Sequence, residues 1–337
     1  MNKYINIWLF SACILIITMV VIGGITRLTH SGLSMVQWKP VSGSIPPLNE
    51  TDWQVEFDHY KQYPEYKLIN NKMTLDEFKS IFFWEYIHRM IGRFLGLLFV
   101  IPFCIFYYKK MIPDKLYPNL FIMFGLGFLQ GLMGWYMVKS GLADNPHVSH
   151  YRLAAHFLLA VALVGYIFWT ILDFNYKKIK FPVNSGLLKY SIIISVIIVL
   201  QMIYGAFTAG LKAGFAWNTF PLMNGLWIPD GLFSLNPVWK NLVENNMTVQ
   251  FIHRYVGILI LTIVSGLLLK VRKQPENYHI KKPVTRLAII VWIQVILGIS
   301  TLLMFTPVWM AVVHQVLAVL LFLSSLHLIW TLKRSEE

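Results

Sequence analysis

Charge is scarce in this chain. Only 13% of its 337 residues are Asp, Glu, Lys or Arg, against about 25% in soluble domains, and 56% are hydrophobic. Water cannot be the solvent for most of such a surface. Acidic residues are scarcer than basic ones, 16 against 29, which gives a formal net charge of +13. In a soluble protein that excess would suggest a nucleic-acid partner. Here the basic residues sit in short links between apolar runs, the positive-inside pattern of a membrane protein, so no nucleic acid is expected. Cysteine is nearly absent. Cys13 and Cys104 both lie inside apolar runs, which leaves no basis for a disulfide framework or a Cys-ligated metal site. They read as small buried hydrophobes. No small-residue cleavage site follows the first apolar run, so that run reads as a retained helix and not a leader.

Long apolar runs are what the chain has. A membrane span needs about 20 mainly apolar residues. Eight stretches qualify: 6–26, 82–108, 118–138, 151–173, 188–210, 249–270, 285–305 and 310–332. The links 109–117, 174–187 (with Lys177, Lys178 and Lys180) and 271–284 (with Arg272, Lys273, Lys281 and Lys282) are basic, as is the tail Lys333-Arg334. They should face the cytoplasm, which places both termini inside. The opposite side carries two long segments, about 27–81 and 211–248. These hold Trp38, Trp53, Trp217, Trp227 and Trp239 and turn residues such as Pro46-Pro47 and Asn224-Gly225. They read as folded caps or short interfacial helices, with the tryptophans as an outer aromatic belt.

The two halves repeat. Ile87-His88-Arg89-Met90-Ile91-Gly92 returns as Ile252-His253-Arg254-Tyr255-Val256-Gly257, offset by 165. Gln130 and Gly134 return as Gln294 and Gly298, offset by 164. Gly23, Thr26 and Gly32 return as Gly205, Thr208 and Gly214, offset by 182, and His156 returns as His314. An even number of spans separates equivalent elements, so the repeats are parallel, about an axis along the membrane normal. The expected fold is an all-α integral membrane protein with eight transmembrane helices in two pseudo-symmetric four-helix bundles. Residues 1–180 form the first and 181–337 the second.

Ionisable and polar side chains inside a membrane are costly and mark function. His88, His156, His253 and His314 each sit a few residues from the outer end of a span, at a depth of about 6–10 Å for a rise of about 1.5 Å per residue. Taken alone, an intramembrane histidine is often a hydrogen-bonded packing residue. Four in one layer, one pair per half from its second and fourth spans, suit an iron porphyrin clamped between facing imidazoles. Zinc would want more ligands, with Cys or carboxylate among them. Arg89, Arg93, Arg152 and Arg254 lie near enough to neutralise haem propionates, or else they snorkel to the interface. His30, His59, His147, His150, His279 and His327 are read as non-ligands.

The halves differ at one telling position. Glu85 precedes His88 by three residues and shares its helix face, whereas Gln250 occupies that place before His253. A carboxyl one turn from a haem ligand can move a proton or stabilise developing positive charge. Alternatively it pairs with Arg89, as an i,i+4 salt bridge, and fixes the helix. The asymmetry favours chemistry in the N-terminal half and an electron-handling haem in the C-terminal half.

The run Gly23-x-x-Thr26-Arg27-Leu28-x-x-Ser31-Gly32-Leu33-Ser34-Met35-x-x-Trp38 resembles a hallmark of the haem A synthases. So do Glu85-x-x-His88-Arg89-x-x-Gly92-Arg93 and Tyr151-Arg152-Leu153-Ala154-x-His156. The resemblance covers essentially the whole chain. The long first outer loop and the lack of outer cysteines are similar to the branch shared by proteobacteria and mitochondria, and without a mitochondrial presequence a bacterial inner membrane is expected. The resemblance implies oxidation of a methyl group of haem O to a formyl group, through hydroxylated intermediates, to make haem A for cytochrome oxidase. It implies that His88 and His156, with Arg89 and Arg93, hold the substrate haem O, with Glu85 catalytic beside it. His253 and His314 would hold the iron of a haem B cofactor. An electron donor is required and is not identified; haem O synthase or cytochrome oxidase assembly factors are further expected partners, besides membrane lipid. An iron held by two histidines has no vacant position for oxygen, so either a ligand leaves or the chemistry runs by electron abstraction and attack of water.

Two rival readings compete. A di-haem b-type cytochrome exchanging electrons with a quinone explains four histidines but gives Glu85 no task. A transporter would place its charges along a central path, not in one outer layer.

Overall fold

The computed structural model describes residues 2–37, 42–142, 146–176, 185–273 and 278–334. Trp38, Lys177, Lys178 and Lys180 lie outside the described residues. The described residues contain eleven α-helices: α1 (Lys3–Leu28), α2 (Glu50–Lys61), α3 (Pro64–Leu68), α4 (Leu75–Tyr108), α5 (Tyr117–Gly141), α6 (His150–Asn175), α7 (Ser185–Gly210), α8 (Asn241–Glu244), α9 (Asn246–Arg272), α10 (Tyr278–Leu303) and α11 (Val308–Lys333). Eight of them, all but α2, α3 and α8, are long and apolar enough to cross a membrane. The all-α, eight-span expectation is met, and the chain is a multi-pass membrane protein.

Two spans begin earlier than hydropathy suggests. α4 starts at Leu75 and not at 82, because Thr74 and Glu77 form a reciprocal capping box that holds a polar first turn in helix. α10 starts at Tyr278, so Lys281 and Lys282 lie on its first turns and not in a link. The helix that follows the second outer segment is also capped: Asn245 accepts from the N–H groups of Met247 and Thr248 at the start of α9. The helices that carry His88 and His253 are thus both fixed at their outer ends.

Packing divides the chain into two compact units, Asn2–Ala160 and Val161–Glu337, with the boundary inside α6. In the first unit α1 lies along α4, where the Trp8 indole N–H donates to the Leu98 carbonyl (2.8 Å). Phe99 and Phe103 of α4 meet Phe124 of α5 edge-on. In the second unit α7 packs on α9 and α11 while α10 packs on both of the same helices, which closes a ring of four.

Both outer segments fold as caps. In the first, Met35, Val36, Phe57, Tyr60, Phe78 and Phe82 form a buried cluster against Trp53 and Tyr86. Trp53 therefore packs inside the cap, edge-on to Phe82. In the second, the fully buried Asn241 accepts from Leu235 N–H (3.0 Å) and donates to the carbonyls of Leu235 and Val238 (2.9 Å each). Asn224 and Gly225 both take positive φ, 50° and 91°, in a tight turn bridging Met223 and Leu226, as a two-residue turn of that sequence requires.

Candidate functional site

Each of the four histidines lies on a glycine of the preceding span. A Cβ placed on Gly23 would stand 3.1 Å from Nε2 of His88, and one on Gly205 would stand 3.1 Å from Cε1 of His253. Gly134 meets Cε1 of His156 at 3.1 Å and Gly298 meets Cε1 of His314 at 2.7 Å. The contact at Gly298 is closer than real Cβ atoms come, and the other three are tighter than most. These glycines leave the space that the imidazole rings occupy. They are the glycines of the sequence repeat, and their spacing encodes the ring seats.

Two glutamines of the same repeat join the rings. Gln130 Nε2 lies 3.4 Å from Nε2 of His156, and Gln294 Nε2 lies 3.4 Å from Nε2 of His314. Gln294 also donates to the His314 carbonyl at 3.1 Å. The sequence repeat contains these residues, but nothing in it indicates that the amide faces the imidazole of the next span.

The donor set fits a haem. Nδ1 of His156, His253 and His314 is buried without a hydrogen-bond partner among the described residues, and a buried polar atom left unpaired calls for a missing ligand or water. The rings of His253 and His314 face each other across 6.4 Å between centroids, at 83° between planes. A gap of that size would suit a metal ion bound by both rings at about 2 Å from each nitrogen. His88 and His156 lie within electrostatic range of one another. Among the described residues no three His, Cys, Asp or Glu side chains gather as a metal centre of their own.

Around the second span of each half, one framework carries two opposite hydrogen-bond polarities. Glu85, 2% exposed, accepts on Oε2 from Ser34 Oγ–H (2.7 Å) and Met35 N–H (2.9 Å), and on Oε1 from the Arg89 guanidinium (2.5 Å). Arg89 also donates to the Met35 carbonyl (2.8 Å). Glu85 therefore ties α4 to the chain that leaves α1. Gln250 does the same work by donating: its Nε2 bonds the carbonyls of Ala213 (2.9 Å) and Ala216 (2.8 Å). Arg254 donates to the carbonyls of Trp217 and Thr219 and to Gln250 Oε1 (3.3 Å). The salt bridge between Glu85 and Arg89 is present, and the carboxylate accepts from three donors, two on Oε2 and one on Oε1.

The other cations are placed as follows. Arg93 Nη1 contacts the sulfur of Met90 (3.5 Å). Arg152 lies over the ring of Tyr136, 4.1 Å from its centroid.

Outside the spans, Glu65 is buried in the first cap, where it accepts from the Tyr60 hydroxyl (3.1 Å) while Asn70 donates to that hydroxyl (2.8 Å). Burial, with the charge of Glu85 nearby, raises its carboxyl to about 7 against the bond from Tyr60. Sequence reasoning misses Glu65, because a single acid in a polar outer loop reads as solvated.

Comparison with known proteins identifies the family. The COX15-CtaA family, described as cytochrome oxidase assembly protein, matches residues 6–326. The chain is 47% identical to a "Heme A synthase" of Nitrosospira multiformis, over 99% of this chain and 94% of that one. It is 45% identical to one from Wolbachia pipientis wMel, over 98% and 93%, and 45% identical to one from Parvibaculum lavamentivorans, over 94% and 90%. The chain belongs to the COX15-CtaA family, alongside the heme A synthases that it resembles along nearly its whole length.

Proposed function

We propose that this protein is a haem A synthase, which oxidises a methyl group of haem O to a formyl group through hydroxylated intermediates and so supplies haem A to cytochrome oxidase. The observation that carries the reading is the half-buried histidine pair that recurs in each half, every ring seated on a glycine. In residues 1–180, His88 and His156 hold the substrate haem. Arg89 and Arg93 supply the positive charge for its propionates. In residues 181–337, His253 and His314 hold haem B, which when bound supplies one-electron transfer. Glu85 is the catalytic carboxylate: it is the ionisable member of the Glu85/Gln250 pair, held in place by three donors, and a fixed negative charge there favours positive charge developing at the substrate.

The basic residues Lys109, Lys110, Arg272, Lys273 and Lys333 all lie at the ends of spans opposite the caps. That supports caps on the outer face of a bacterial inner membrane and both termini in the cytoplasm. An electron donor completes the reaction; haem O synthase and cytochrome oxidase assembly factors are the proposed neighbours.

Incubation of the purified protein with haem O and a reductant, followed by chromatography of the extracted haems, tests the proposal. Hydroxymethyl and formyl products are expected. Unchanged haem O, together with oxidation of quinol by both bound haems, would instead establish an electron-transfer cytochrome.

A further inference from the structure

Gln201 of α7 donates its side-chain amide to the backbone carbonyl of His253 (2.7 Å). Within α9 that carbonyl already receives the N–H of Gly257, one turn on. The amide reaches it because residue 257 has no side chain: a Cβ there would stand 3.2 Å from Gln201 Nε2. The other end of the amide, Oε1, is buried without a hydrogen-bond partner among the described residues. A buried acceptor left unpaired is costly, so the Nε2 bond is the contact that justifies a glutamine here.

The N-terminal half has the same opening without the bond. Gly92 is the counterpart of Gly257, and the counterpart of Gln201, at the offset of 182, is Met19. A Cβ on Gly92 would meet Met19 Cε at 3.6 Å, an ordinary packing distance. Methionine has no hydrogen to donate, and its thioether fills gaps adaptably. Gly92, one turn on from His88, is therefore packed by a soft apolar group, where the carbonyl of His253 is held by an amide.

We infer that Gln201 and Met19 are positioning residues that set how readily each histidine pair releases its haem: Gln201 locks His253 in place, while Met19 leaves His88 free to shift as a haem enters or leaves. The inference rests on the proposed assignment of the N-terminal half to the exchanging substrate. A cofactor is retained through many turnovers, whereas a substrate must leave after each one. The same chain segment, carrying the same His-Arg-x-x-Gly sequence, meets both demands through one substitution on the neighbouring helix.

The test is haem transfer from the full-length protein, loaded at both sites, to excess apomyoglobin, followed by the haem absorption band. Wild-type protein is expected to show a fast and a slow phase. His88→Ala should remove the fast phase and His253→Ala the slow one. Gln201→Met should speed the slow phase about tenfold and Met19→Gln slow the fast phase about tenfold, as the loss or gain of one hydrogen bond implies. Gly257→Ala, which favours helix yet crowds the amide, should mimic Gln201→Met and raise the high-spin fraction of the ferric spectrum. Gly92→Ala should leave the fast phase within twofold. Transfer rates that stay within twofold of wild type in both Gln201→Met and Gly257→Ala overturn the lock. A fast phase that disappears with His253→Ala, while Gln201→Met still speeds it tenfold, keeps the lock and overturns the assignment of the halves.

Discussion

The segments that follow α1 and α7 are held by the same side-chain positions with opposite chemistry. In the first half a carboxylate at 85 gathers N–H and O–H donors from the segment leaving α1, and Arg89 neutralises it. In the second an amide at 250 reaches out to two carbonyls, and Arg254 bonds two more. The residues that follow α1 and α7 have changed to match. Ser34, a donor, faces Glu85, and at the equivalent place Ala216 offers Gln250 only its carbonyl. The framework is a device for fastening a cap to a histidine-bearing helix, and the ionic version of it occurs in one half. A clamp without a carboxylate also fastens a cap. Holding the loop does not by itself require the charge in the first half, since the second half holds its own with an amide.

The largest expected effect follows from the ion pair. Arg89→Ala leaves a buried carboxylate without its cation, a loss of about 3–5 kcal/mol. Arg254→Ala leaves only carbonyls and an amide short of donors, about 1–3 kcal/mol. Thermal unfolding of the two variants in the same detergent measures the difference. Equal losses would mean that the two clamps are energetically alike and that the charge of Glu85 has no structural consequence.

The caps differ in the same sense. Glu65 sits buried in the first and Asn241 in the second. Glu65 has its folded value near 7, against an ordinary 4.5, mainly through burial. A raised value means the folded cap favours the protonated acid. The contribution to stability is complete below about pH 4.5, declines as pH rises, and is lost above about pH 7, to a total of about 3 kcal/mol at 1.36 kcal/mol per unit. Asn241 does not titrate. Hydrogen exchange, corrected for its intrinsic pH dependence, should show protection of α2 and α3 falling between pH 4.5 and 7 while α8 stays constant. Glu65→Gln should flatten the first profile.

Turnover separates the halves in another way. Glu85→Gln is expected to lower the rate of haem O oxidation by about a hundredfold, the lower range for removing a catalytic carboxyl, while both haems stay bound. Gln250→Glu sets a carboxylate against the carbonyls of Ala213 and Ala216. It should cost about 1–3 kcal/mol of stability and lower turnover only as far as folded protein is lost. Comparable rate losses in the two variants, at equal haem content, would remove Glu85 from the chemistry.

Much of this contrast is legible in the amino-acid sequence. The eight spans are apolar runs, and burial in lipid demands them. The four histidines stand out because polar groups in such runs are rare. The repeat even contains the glycines on which the rings lie. What the pattern conceals depends on backbone groups far away in sequence. Hydropathy stops at 82 because Asp76, Glu77 and Lys79 are polar, yet Thr74 and Glu77 cap α4 and carry it to Leu75. Whether residue 85 gives or takes hydrogen bonds is decided by Ser34 and Met35, about fifty positions earlier. Met19 and Gln201 look like two unrelated residues until the glycines opposite them are seen to open the same carbonyl.

The smallest effect decides how Glu85 works. Ser34→Ala removes one of the two bonds to Oε2 and leaves the Met35 N–H and Arg89 in place. The second half already carries alanine at this position, so the fold tolerates it. The stability loss should be about 0.5–1.5 kcal/mol, the net value of one hydrogen bond. Its effect on the rate is the informative part. If the carboxylate acts through its charge, removal of one neutral donor leaves that charge where it was, and turnover should fall less than threefold. If the carboxylate must instead swing from Ser34 toward the substrate to take a proton, Ser34→Ala frees it, and turnover should rise or its pH profile shift. The clamp geometry, with donors on both oxygens, favours the first outcome, and comparison of the pH–rate profiles of Ser34→Ala and wild type distinguishes the two.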